Sequence, residues 1–156
     1  MKIRAKIRTA VTGLALVVGM LVALPGPASA VLSSSDTYEA SVISATNYQR
    51  AIRGRVKLSP QWCVDRYAES HARWMATNRT LKHQSLSRIL SYCGLRSVGE
   101  NIAVGYRTGT LAVAAWMASY YHRLNILKWG YRLIGVGAYQ DTSGRWWVSQ
   151  VFGTKL

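Results

Sequence analysis

The sequence predicts an α+β fold built in layers, and three observations carry that prediction. Apolar residues recur at helical spacing in three separate stretches between Asp36 and Arg123. From Leu133 the spacing changes to alternation, and the residues DTSG split the alternating region into two runs of hairpin type. Helices with one apolar face each, beside a terminal hairpin with two sides to cover, pack as helices layered on an antiparallel sheet.

The first helix starts where Asp36 and Glu39 precede an apolar-periodic run, the pattern of a capping box. Tyr38, Val42, Ala45, Gln49 and Ile52 share one face, and Gly54 supplies a stop. RVKL reads as extended. Ser59 before Pro60 has the form of an N-cap with proline at the first helical position, opening a second helix that runs to about Asn78. Its stripe of Val64, Tyr67, His71, Trp74 and Met75 requires a broad apolar partner and puts His71 in the core or at its edge. The next stretch combines a short helical pattern at Leu86, Ile89 and Leu90 with Gly94, Gly99 and Gly105, and reads mostly as loop pinned at Cys93. TGTLAVAAWMASYYHR gives a third helix, capped by Thr108 or Thr110, with Leu111, Ala115, Ser119 and His122 on one face. In the hairpin, Ile134, Val136 and Ala138 point one way, while Gly135 and Gly137 leave the other side bare for a close backbone. The return strand sets Trp146, Val148 and Phe152 against Trp147 and Val151.

The first thirty residues are of another kind. A basic run (MKIRAKIR), an apolar run interrupted by Gly13 and Gly19, and PGPASA together have the form of a secretory signal peptide, with cleavage expected after Ala30 at the Ala28–Ala30 site. VLSSS, residues 31–35, is expected to be a short mobile lead, followed by a single domain over 36–156. The formal charge is +14; Lys2, Arg4, Lys6 and Arg8 lie in the leader with no acid, leaving 14 − 4, or +10, for the rest. Such a chain is drawn to anionic surfaces. Its cations, Arg50, Arg53, Arg55, Arg66 and Arg73 among them, are scattered, and no zinc-finger spacing, basic arm or ribonucleoprotein motif accompanies them. The expected partners are therefore anionic lipid or cell-wall polymer at the envelope, with no nucleic acid, no transmembrane span after cleavage, and a monomeric state. Cys63 and Cys93, in an exported chain, are expected to form a disulfide.

Four pieces stand in a familiar order: NYQR in the first helix, LKHQSL after the second, GENIA in the glycine-rich stretch, and HRLNIL leading into LIGVGAY and WWVSQVFG. Together they resemble the CAP superfamily of cysteine-rich secretory, antigen 5 and pathogenesis-related proteins (SCP domains), in its small bacterial secreted form. The resemblance runs from about Asp36 to Gly153 and implies that family's α-β-α sandwich. Motif by motif it also implies a central cleft holding His83, Glu100 and His122. Where many members carry a second acidic residue, this chain has Ser119. Arg123, Asn125 and Ile126 are then expected to anchor the turn into the sheet.

Two imidazoles and a carboxylate supply three positions of a tetrahedral zinc site and leave one for water. The resemblance thus implies, at most, weak zinc or other divalent-metal binding by His83, Glu100 and His122, which follow no H-E-x-x-H spacing. The alternative is a hydrogen-bonded polar cleft in which Glu100 fixes the rings. No G-x-S-x-G elbow is present, and Ser119 beside His122 lacks an evident oxyanion hole, so no catalytic residue is assigned. The leading functional expectation is a secreted, non-enzymatic binder of a lipid or envelope ligand, using its cleft or basic face. The alternatives are a metal-assisted hydrolase of peptide or wall substrates, and a basic adhesive surface protein with a vestigial cleft. Adjacent Trp146 and Trp147 face opposite sides of the hairpin, which frees one for an exposed role beside arginines.

Overall fold

A computed structural model describes residues 34–156, and the expected signal peptide, its cleavage site and the first residues of the lead lie outside them. Helix α1 spans Ser34–Ala51, so Ser34 and Ser35 belong to the helix and not to a lead. Strand β1 is Ser59–Pro60, followed by α2, Trp62–Asn78, and α3, Leu86–Tyr92. Then come β2, Leu95–Val104, helices α4, Gly109–Ala118, and α5, Tyr120–Leu127, and the hairpin strands β3, Leu133–Gln140, and β4, Trp146–Lys155.

The strands form one sheet in the order β1-β3-β4-β2, antiparallel except for the short parallel β1–β3 pairing. Alternation along the hairpin sorts its side chains into two cores. Ile134, Val136, Ala138, Val148 and Phe152 meet Tyr38 and Val42 of α1, Ala112, Val113 and Trp116 of α4, and Ile126 of α5. Val151, on the opposite face, meets Val64 and Ala68 of α2, Ile89 of α3 and Leu95. Trp147 packs on the same side with Met75 and Ala76 of α2 and with Ile102. The result is the expected α-β-α sandwich.

The bare side of β3 accommodates α2. A Cβ at Gly135 would collide with backbone atoms of Val64 and Asp65, and one at Gly137 with those of Ala68 and Glu69. Beyond the short β1 pairing, two carboxylates close the edge of β3: Asp65 Oδ1 accepts from Val136 N at 3.0 Å and Glu39 Oε1 from Ala138 N at 2.8 Å. Glu39 thus serves the sheet and not a capping box.

Several local expectations are corrected. Ser59 N donates to Arg132 O, which makes Ser59–Pro60 a strand; the N-cap of α2 is Gln61, whose Oε1 accepts from Cys63 N and Val64 N at 3.0 Å each. The stretch read as loop contains β2, paired with β4 from Leu95 to Val104, and Gly94 (φ +58°) and Gly105 (φ +87°) mark its ends. The third helix is two, broken at Ser119, whose ψ of 129° is extended, so Leu111, Ala115, Ser119 and His122 do not share one face. On α1 the buried residues are Tyr38, Val42, Thr46 and Arg50, while Ile52 is exposed. Trp74 of the α2 stripe is also exposed, whereas Trp147 is buried and Trp146 half-buried. Cys63 and Cys93 form the expected disulfide.

Candidate functional site

Glu100 lies at the centre of the predicted cleft. Its side chain is fully buried on β2, on the face that looks toward α2, and both carboxylate oxygens are engaged. His83 Nδ1–H donates to Oε2 at 2.7 Å. Gln84 Nε2 donates to Oε1 at 2.7 Å, Ser149 Oγ to Oε1 at 2.8 Å, and Gln84 N to Oε2 at 3.4 Å. Burying a carboxylate is tolerable when donors surround it in this way. The bond to Glu100 fixes the ring orientation of His83 and leaves its Nε2 directed elsewhere. His71 from α2 completes this side: Nε2–H donates to Lys82 O at 2.7 Å, the ring stacks on Trp74, and Oε1 of Glu100 lies 4.0 Å away. The expected place of His71 at the core edge therefore holds. His71, Trp74, Lys82, His83 and Gln84 line a shallow pocket of about 290 Å³.

His122 reaches the cleft from α5. Its Nδ1 is 2.9 Å from Ser119 Oγ, the residue at which the helix breaks. Burial, with a smaller contribution from His83, pushes the His122 imidazole below its usual pKa. The structure thus assembles two pairs, His83 with Glu100 and Ser119 with His122.

Behind these pairs runs an amide network that the sequence did not disclose. Asn125 Nδ2 donates to Glu100 O and Asn101 Oδ1 at 3.0 Å each, and Asn101 Nδ2 to His122 O at 3.2 Å. Gln150 Oε1 accepts from Asn101, and Gln150 Nε2 donates to Thr46 Oγ1 of α1 at 2.7 Å. Asn125 therefore ties α5 to β2, whereas Arg123 donates to Met117 O of α4 at 2.8 Å and Ile126 is buried. Gln84, Asn101, Ser149 and Gln150 were legible only as members of quoted motifs, not as partners of one another.

The expected three-ligand metal site does not fit this arrangement. Both Glu100 oxygens are taken by protein donors, one of them from His83 itself, and no group of three or more His, Cys, Asp or Glu among the described residues could hold a metal ion. What remains is a hydrogen-bonded polar cleft that locks β2, β4, α1, α5 and the segment before α3 to one another.

The layered fold defines a class, the SCP-type α-β-α sandwich. Residues 43–152 match the cysteine-rich secretory protein (CAP) family, and the chain belongs to it. Over 128 residues it is 33% identical to an uncharacterized protein, YkwD, of Bacillus subtilis (strain 168), covering 78% of this chain and 49% of that protein. An extracellular SCP-domain protein of Bacillus anthracis superposes with a TM-score of 0.71 at 24% identity, covering 81% of this chain and 45% of that one. An outer surface protein of Borrelia burgdorferi gives 0.68 at 21%, covering 74% and 90%. The chain thus spans about half the length of both Bacillus proteins. No helix among the described residues is long and apolar enough to cross a membrane.

Proposed function

We propose that the protein is exported and acts without catalysis, holding an anionic ligand of the cell envelope, lipid or wall polymer, on its basic surface. One observation carries this reading: four of the six acids are engaged within the fold, while most of the cations stay exposed. Glu39 and Asp65 close the β3 edge, Glu100 is buried under four donors, and Asp141 organises the hairpin turn. Between described residues the one Lys/Arg–carboxylate ion pair is Arg145–Asp141. Several remaining arginines lie over aromatic rings instead, Arg55 over Trp129 and Arg123 over Tyr120 among them. A surface with unpaired cations concentrates polyanions, more strongly at low salt. Export is supported by the signal-type leader and by relatives described as extracellular or outer surface.

The test is co-sedimentation at physiological salt with phosphatidylglycerol vesicles and with purified wall polymer, each against a neutral counterpart. Retention on the anionic member that weakens as salt rises is the expected result. Equal retention on charged and neutral partners would refute the reading. N-terminal sequencing of the exported protein should begin at Val31.

A further inference from the structure

The outer side of α2 carries a second concavity, distinct from the cleft network. Trp62, Arg66, Tyr67, Glu69, Arg73 and Tyr92 line a groove of about 490 Å³, within the range of small-ligand sites. Trp62, the first residue of α2, is 65% exposed, and Tyr92, the last of α3, is 71% exposed. Each is the chain neighbour of a half-cystine, and the Cys63–Cys93 bond brings those two backbones within 5.8 Å between Cα atoms. Tyr67 stands edge-on to Tyr92, with ring centroids 6.0 Å apart. Arg66 lies 6.0 Å from the Trp62 ring and Arg73 5.4 Å from the Tyr139 ring, and neither is ion-paired to a carboxylate of the described residues.

Each feature points to one chemistry. Large aromatic faces held in the open by a covalent crosslink are apolar surface that the core does not use. Such faces stack on the C–H faces of pyranose rings, and a crosslink that fixes them beforehand lowers the ordering cost of binding. Guanidinium forks take carboxylates through paired hydrogen bonds. Glu69, which has no ion pair among the described residues, is able to accept hydrogen bonds from sugar hydroxyls. We propose that this groove binds an acidic polysaccharide, with sugar rings against Trp62 and Tyr92 and carboxylates on Arg66 and Arg73. The inference rests on the basic-surface reading above and gives it a place and a ligand class. A lipid headgroup offers the charge without a run of rings, and polyphosphate offers charge alone.

The experiment is isothermal titration of the purified protein with oligogalacturonate, beside polyphosphate and neutral dextran. Trp62→Ala/Tyr92→Ala and Arg66→Gln/Arg73→Gln remove the two halves of the groove, and Arg107→Gln/Lys155→Gln makes the same charge change elsewhere on the surface. All six side chains are exposed, so the fold should survive each pair of changes. The expected result is saturable oligogalacturonate binding that weakens about tenfold or more in each groove variant and stays within about twofold in the control, as for anchor residues of an interface. If the control weakens as much as the groove pair, or if the aromatic variant binds like the wild type, the groove is overturned while the basic-surface reading stands. If the wild type retains no polyanion, vesicle or wall polymer at all, both readings fall.

Discussion

Replacing Arg50 should cost more stability than any other single charge change in the molecule. Its side chain is fully buried, yet no carboxylate among the described residues is paired with it. Instead Nε donates to Val56 O at 2.8 Å, one terminal nitrogen to Ile126 O at 2.7 Å and Lys128 O at 3.1 Å, and the other to Tyr131 O at 3.2 Å. These carbonyls belong to the end of α5 and to the segments before β1 and β3, so one guanidinium ties three stretches of chain to α1. Burial, reinforced by Arg132 and Arg55, lowers its pKa to about 10, which still leaves it charged at neutral pH. Four bonds to a charged donor at about 1.5–3 kcal/mol each would exceed any net effect, because desolvating the ion offsets several kcal/mol. Arg50→Met recovers that desolvation but strands four carbonyls, and the net loss expected for breaking a buried charged arrangement is about 3–5 kcal/mol. Urea unfolding followed by tryptophan fluorescence should show the midpoint falling by about 2 M at a slope near 2 kcal/mol per M. Arg50→Lys should recover less than half, since one ammonium cannot span the four acceptors. A loss under about 1 kcal/mol for Arg50→Met, or a lysine variant equal to the wild type, would refute the reasoning.

Three further outcomes follow from the same geometry. Burial, against the bond from Ala138 N and with help from nearby Asp65, Glu69 and Asp36, raises the Glu39 pKa from 4.5 to about 7. Because the folded state keeps a proton that the unfolded chain has released, this group's stabilisation is complete below pH 4.5 and is lost as pH rises through 7. Glu39→Gln keeps the acceptor, so the wild-type minus variant stability difference, measured by denaturant titration, should fall across that window; a flat difference would sink the assignment. Gly137→Ala forces a Cβ into the backbone of α2, which cannot swing aside, and should cost about 3 kcal/mol, read as a Tm lowered by roughly 10 °C. Cys63→Ser/Cys93→Ser opens a link across 30 residues and should cost about 3–4 kcal/mol by chain entropy, seen as a lower denaturation midpoint.

Much of the fold was legible because it follows from periodicity. The hairpin register, Gln140 opposite Trp146 through Leu133 opposite Gly153, is what alternation and the DTSG turn require. Where reading failed, tertiary contacts had overridden local preference. Gly99, Glu100 and Asn101 are poor strand residues, yet β2 pairs along β4 there; Gly99 leaves room for the Tyr131 hydroxyl, and Glu100 and Asn101 face the two polar networks. Nothing in ASYYHRL signals a break, and the interruption at Ser119 persists because Arg123 satisfies the Met117 carbonyl near the end of α4. His83, Glu100 and His122 could be named from motifs. Their division into two pairs depended on Gln84, Ser149 and the helix break, none of which has a local signature.

The charge pattern links these failures to the function. Arg50, one of the scattered cations, is buried, and Glu39, expected in a capping box, closes a strand edge. Charged residues are mostly exposed, so neither interior role has a local signature. The β3 edge runs past the two-residue β1, so Val136 N and Ala138 N need acceptors, and Asp65 and Glu39 supply them. With Glu100 enclosed and Asp141 committed to its turn, four of the six acids are used by the fold itself. The surface consequently remains cationic although the fold retains the acids it needs. Adding acids to the exterior should therefore leave the core intact while weakening the proposed polyanion binding, so mutation can test that proposal apart from the folding machinery.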